Sequence, residues 1–219
     1  MHKSIQNLIL IKKEIDITLR QINNNNIPKI IAVSKTFPLE KILPIINHGH
    51  KDFGENKVQE AVEKWSNMKL ENKNISLHLI GKLQTNKVRI AVKLFDYIHS
   101  VENEKLAKKI AAEQINQNKK IKIFIQVNIG NEYQKSGVQS KNLEDFYQFC
   151  KNINLDVIGL MCIPPQDKES KKYFLEMNLL RKKLGVQELS MGMSSDYIDA
   201  VKNYSTYLRI GSGIFGSRS

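Results

Sequence analysis

One arrangement repeats from residue 29 to the end of the chain: a short β-favouring run, a polar turn, then an amphipathic segment. The runs are KIIAVS (29–34), KDFG (51–54), ISLHLI (75–80), YIHSV (97–101), KIFIQVNI (122–129), LDVIGLMCI (155–163), ELSMG (188–192) and YLRIG (207–211). Helices are expected between them. The segment 41–47 follows Pro38, a residue suited to a first turn. The segment 57–66 follows Asn56, a candidate N-cap. Further helices are expected over 86–94, 104–116, 143–151, 169–184 and 197–203. Strands alternating with helices point to parallel βαβ units, and several runs are continuously apolar, as buried parallel strands are. Eight such runs favour closure into a single (β/α)8 barrel. An open doubly wound sheet usually has fewer strands and a glycine-rich turn after the first one. Here the first run ends in Ser34-Lys35-Thr36-Phe37.

Ahead of the first strand, Ile5, Leu8, Ile9, Ile15, Leu19 and Ile22 form one apolar stripe at helical spacing. Residues 1–22 are therefore expected to be a helix packed on the barrel, ended by the Asn run 23–26 and Pro28. No linker or shift in composition marks a second domain, so residues 1–219 read as one barrel domain.

The composition excludes several classes. No run approaches the ~18 apolar residues of a membrane helix. The N-terminus is interrupted by Lys12, Lys13, Glu14 and Asp16 and has no signal-peptide core. Cys150 and Cys162 make neither a disulfide framework nor a CxxC pair. A cytoplasmic protein is expected. The net charge of +12 invites a nucleic-acid partner, but only five of the 34 basic residues are arginines, the side chain that reads guanine edges. The lysines are scattered and travel with Asn and Ile, all residues with AT-rich codons. No nucleic-acid partner is expected. His48-Gly49-His50 lacks a third ligand, so no metal site is expected. His78 reads as a satisfied core histidine. Cys150 reads as packing, and Cys162, near the pocket rim, has no activating neighbour.

In such barrels chemistry sits at the C-terminal ends of the strands. Lys35 ends a run expected to be buried. An amine desolvated in this way becomes nucleophilic and can form a Schiff base with an aldehyde. The stretch Ser190–Tyr197 runs from the seventh strand into a helix, with Ser194 or Ser195 as N-cap, and exposed N–H groups there attract an anion. The tail, Arg209-Ile210-Gly211-Ser212-Gly213-Ile214-Phe215-Gly216, spells GxGxxG but is followed by only three residues. It cannot be a dinucleotide fingerprint. As a phosphate cradle it works, because glycine lets the backbone approach and Ser212 offers a hydroxyl. The loops after strands seven and eight are the usual phosphate site of these barrels. Arg209 is on the last strand, which adjoins the first on closure, within reach of the ligand of Lys35.

The chain resembles the pyridoxal 5′-phosphate homeostasis proteins, the YggS/PROSC-like family. The resemblance is carried by Ala32–Lys35, Phe53–Glu60 (FGENKVQE), His78–Lys87 (HLIGKLQTNK), Gly159–Met161, Leu189–Ser194 (LSMGMS) and Arg209–Gly216, in that order. Leu77, Ser195 and Ser212 depart from residues frequent in the family, and none removes a proposed contact. The resemblance implies a barrel like that of alanine racemase, with pyridoxal 5′-phosphate (PLP) held as a Schiff base on Lys35. It implies that Ser194, Gly211 and Ser212 hold the phosphate, that Arg209 faces the pyridine nitrogen, and that Asn56 lines the pocket. It further implies a protein that buffers or delivers PLP, with PLP-dependent apo-enzymes as candidate partners and no catalytic residue; a monomer is expected because no interface element stands out in the sequence.

An arginine stays cationic and gives up no proton to the pyridine, which weakens the ring as an electron sink. A racemase also needs a second acid/base, supplied in two-domain racemases by an extra domain for which this chain is too short. A carrier without turnover is therefore expected. The alternatives are a racemase-like or Schiff-base enzyme using Lys35 and, from charge alone, a nucleic-acid binder.

Overall fold

The computed structural model describes residues 1–165 and 170–217. Eight parallel strands close a barrel in sequence order: β1 (Lys29–Val33), β2 (Asp52–Glu55), β3 (Ser76–Leu79), β4 (Tyr97–Val101), β5 (Lys122–Val127), β6 (Asp156–Cys162), β7 (Glu188–Ser190) and β8 (Tyr207–Ile210). β8 returns to β1 in parallel, with Ile31 opposite Arg209 and Ala32 opposite Ile210. Seven of the expected β runs contain one of these strands whole, and the run 51–54 covers all of β2 but Glu55. The helices are α1 (Lys3–Gln21), α2 (Leu39–Asn47), α3 (Val58–Glu71), α4 (Val88–Leu94), α5 (Glu104–Asn116), α6 (Leu143–Asn152), α7 (Ser170–Leu184), α8 (Tyr197–Lys202) and α9 (Ser212–Phe215). The expected first residue of α7, Glu169, lies outside the described residues. Among the described residues no helix is long and apolar enough to cross a membrane.

Three helix starts differ from expectation. α2 begins at Leu39, with Pro38 at the cap position and not inside the first turn. α3 is capped by position Lys57, still extended at φ −120°, and Asn56 does not cap it. Gly81 at the end of β3 packs against the Asn56 backbone so closely that a Cβ there would lie 2.3 Å from the Asn56 carbonyl oxygen. That contact belongs to a loop residue, and the chain enters the helix later. At α8 the cap position is Asp196, not Ser194 or Ser195. Its Oδ1 accepts the Met193 N–H at 2.6 Å, folding 193–196 into a tight turn before the helix starts.

Two apolar regions result. The larger lies between barrel and helices and includes Leu8, Ile42, Trp65, Ile110, Phe174 and Val201, all at most 2% exposed. The smaller fills the barrel with Ile31, Tyr97, Phe124, Met161 and Tyr207. Bulky branched residues usually dominate such interiors. Here imidazoles join the rings: His78 stacks on Tyr97 with centroids 4.1 Å apart, and His99 on Phe124 at 4.2 Å.

α1 buries Leu8, Ile11, Ile15, Thr18 and Leu19. Ile11 and Thr18 were not in the expected stripe, and Ile9 and Ile22 are only half-buried. Each fully buried aliphatic side chain contributes about 1.5–3 kcal/mol, which fastens α1 across α8 and α9. Asn7 Nδ2 donates to the Ile214 carbonyl at 3.0 Å, joining the two ends of the described chain.

Candidate functional site

Lys35 lies two residues beyond β1, half-buried. Both of its neighbours are tethered. The Ser34 N–H donates to the Gly54 carbonyl at 3.0 Å, continuing the ladder with β2. Ser34 Oγ donates to Glu55 Oε1 at 2.7 Å, and the Thr36 N–H donates to Glu60 Oε1 at 2.5 Å. Thr36 sits at φ 67°, in the left-handed region, where a non-glycine residue needs local support. Lys64 of α3 binds the pieces together. Its Nζ donates to the Ser34 carbonyl (2.9 Å), Glu55 Oε1 (2.9 Å) and Glu60 Oε1 (3.0 Å). Trp65 Nε1 adds a further bond to Glu55 Oε1 at 2.9 Å. Glu55 is fully buried, and its Oε2 has no hydrogen-bond partner among the described residues. Burial pushes the Glu60 carboxyl up, but the bonds from Thr36 and Lys64 outweigh it and hold the group below its ordinary range. The loop presenting Lys35 is thus set by a buried ionic cluster. Sequence reasoning missed this support, because Glu60 and Lys64 at i,i+4 look like an ordinary surface pair.

Across the mouth, the segments after β7 and β8 meet. Ser194 Oγ accepts the Gly213 N–H at 3.1 Å. Gly192 makes the turn possible: its φ is +91°, and a Cβ there would lie 2.5 Å from Ala200 Cβ. Gly211 abuts Val33, the last residue of β1, and a Cβ on it would lie 3.4 Å from the Val33 Cβ and carbonyl oxygen. Ser212 and Gly213 are exposed and Ser194 is half-buried. The tail is not the open loop its glycines imply. Residues 212–215 form the helical turn α9, with the Phe215 N–H on the Gly211 carbonyl and the Gly216 N–H on that of Ser212, both 2.9 Å.

Arg209 is 4% exposed. It donates from Nη1 to Ser190 Oγ and from Nη2 to the Cys162 carbonyl, both at 2.8 Å. An arginine carries five N–H donors, so these bonds orient the guanidinium while others remain for a ligand acceptor. Asn56, immediately after β2, is half-buried beside Gly81. The mouth therefore brings together a strand-end lysine, a held guanidinium and a glycine-serine turn suited to an anion. His78 and Cys162 are both fully buried. Burial pushes the Cys162 thiol up to about 12, against the pull of Arg209, which disfavours the thiolate.

These features define a class, closed parallel barrels with a lysine just beyond the first strand and a glycine-serine turn after the last, and residues 11–219 match the family described as alanine racemase, N-terminal domain. An alanine racemase of Clostridium difficile shares the fold, with a TM-score of 0.67 at 15% identity over 94% of this chain and 57% of that one. Closer relatives narrow the class. The pyridoxal phosphate homeostasis protein of Haemophilus influenzae is 36% identical, covering 97% of this chain and 95% of its own length. PipY of Synechococcus elongatus, in its structure with PLP bound, superposes with a TM-score of 0.79 at 31% identity, covering 93% of this chain and 99% of that one. The chain belongs to the pyridoxal phosphate homeostasis protein family.

Proposed function

We propose that this chain binds PLP through Lys35 and holds it in reserve for vitamin B6 homeostasis, without substrate turnover. The reading is carried by the juxtaposition of β8 and β1 at the mouth. Arg209 lies in register with Ile31, and Gly211 rests on Val33, so the guanidinium, the anion turn and Lys35 share one side of the barrel end. The site fits the cofactor. Ser194, Ser212 and the Gly211 backbone would take the phosphate, Arg209 would donate to the ring nitrogen, and Asn56 would line the pocket.

When bound, PLP supplies an electrophilic aldehyde and a ring that withdraws electrons from bonds beside it. Lys35 would hold the cofactor through that aldehyde. Ser34 and Thr36, pinned by Glu55, Glu60 and Lys64, fix where the Lys35 amine stands. Arg209, which keeps its proton, would donate to the ring nitrogen and leave it unprotonated, so the electron sink would be weak. Tyr97 and Tyr207 open β4 and β8 and are buried at the barrel floor, the end opposite Lys35. They supply no second acid/base there.

Titrating the purified protein with PLP should raise a visible absorption band that Lys35→Ala abolishes. Incubating the loaded protein with L-amino acids in deuterated water should give no sustained α-proton exchange. Sustained exchange that disappears in Lys35→Ala overturns the carrier reading in favour of a racemase-like enzyme.

A further inference from the structure

A chain of buried hydrogen bonds runs from the floor of the barrel to its mouth. Asp52, the first residue of β2, holds His78 Nε2 at 3.1 Å. His78 Nδ1 meets His99 Nε2 at 3.0 Å, and His99 Nδ1 meets Ser190 Oγ at 2.9 Å. Ser190 Oγ in turn accepts from Arg209 at 2.8 Å. His78, His99 and Ser190 are all fully buried. We infer that Asp52, His78, His99 and Ser190 form a positioning relay that fixes the orientation of Arg209 at the cofactor's ring nitrogen. The inference rests on the placement of Arg209 proposed above.

The ends of the chain decide where every proton sits. An arginine can only donate, and an ionised carboxylate can only accept. Ser190 Oγ accepts from Arg209 and keeps a hydrogen to give, and the one arrangement with neutral rings that ends on the Asp52 carboxylate sends that hydrogen to His99 Nδ1. His99 is then protonated on Nε2 and donates to His78 Nδ1. His78 is protonated on Nε2 and donates to Asp52. One tautomer of each ring satisfies all four contacts, and both rings are neutral. Burial desolvates His78 and lowers it despite Asp52. Burial, then His78 and Arg209, hold His99 well below its ordinary value. Asp52 is pushed up by burial, but the His78 bond and the Lys29 charge more than offset this and keep it ionised. The other groups facing the pair are Lys29 of β1, His50 before β2, Asp96 before β4, and Tyr97 and Tyr207. A chain polarised from a fixed donor to a fixed acceptor strengthens each bond in it. It gives the guanidinium one rotameric state, where an isolated serine hydroxyl would rotate.

Two measurements test the relay. In the ligand-free protein, 15N spectra of the imidazoles should show His78 and His99 each protonated on Nε2 and bare on Nδ1, unchanged from pH 6 to 8. Either ring protonated on Nδ1, or titrating near pH 6.5, overturns the relay whether or not PLP binds. With PLP, Ser190→Ala should weaken binding about tenfold or more, the loss expected for one hydrogen bond to a charged group, and should shift the absorption band. Ser190→Thr, which keeps the hydroxyl, should restore both. A folded Ser190→Ala protein with unchanged affinity and band overturns the relay. Failure of the wild type to bind PLP instead overturns the function proposed above, and the imidazole spectra still decide the relay.

Discussion

Lys64 is 9% exposed and touches three oxygens, on Ser34, Glu55 and Glu60, that together set the loop of Lys35. Lys64→Met removes the cation but leaves Glu55 buried. Breaking a buried pair in this way costs about 3–5 kcal/mol, which denaturant unfolding would measure. Adding Glu55→Gln should recover part of the loss, because no uncompensated carboxylate remains. The cysteines give a second prediction at this scale. Burial pushes both thiols up to about 12, so neither should react with a thiol reagent at pH 8 until the protein is denatured. Rapid native labelling of either contradicts the packing. Lys35 and Arg209 could be placed at the barrel mouth from sequence, because each sits at or just beyond the end of an apolar run that forms a strand. Lys64 was not legible in this way, since its partners lie on three separate segments. His99 and Ser190 were equally hidden, because nothing in the spacing of four strands reveals which side chains meet inside a barrel.

α1 and α9 form a unit that supports the anion turn. Besides the Asn7–Ile214 bond, Tyr197 of α8 hydrogen-bonds Glu14 of α1, and Phe215 packs on Phe37 with centroids 5.1 Å apart. A Cβ on Gly213 would lie 3.6 Å from Ile11 Cδ1, so Ile11 directly backs the turn. Ile11→Ala should cost about 2–4 kcal/mol as a buried aliphatic truncation. It should also weaken PLP binding several-fold by loosening the turn, read from unfolding and from PLP titration. Wild-type affinity in the destabilised variant would uncouple α1 from the site. All eight strands were readable because several are continuous apolar runs and the shorter ones recur between polar turns in step with the helices. α9 was not, because four residues are too few for a helical period and its glycines argue for a loop. The start of α3 shifted where Gly81 packs on Asn56, and that of α8 because Asp196 first closes a local turn on Met193.

For the whole molecule, the buried imidazoles set the response to acid. His50, His78 and His99 are all lowered, in each case chiefly by burial. The unfolded chain protonates each near pH 6.5, while the fold keeps it neutral. Below that pH the unfolded state binds more protons, so stability is complete above about pH 6.5 and falls on acidification. The limiting slope is about 1.4 kcal/mol per pH unit for each histidine. Melting temperature should therefore drop between pH 7.5 and 5.5, and a flat profile would contradict neutral burial. The net charge of +12 is carried mainly by lysines scattered along the chain, and a gel shift at low salt should show no nucleic-acid complex. The most direct test of the whole account is borohydride reduction of the PLP-treated protein followed by peptide mass mapping. The account predicts one phosphopyridoxyl group, on the peptide carrying Lys35. Label spread over surface lysines, or a Lys35 peptide of unmodified mass, would contradict it.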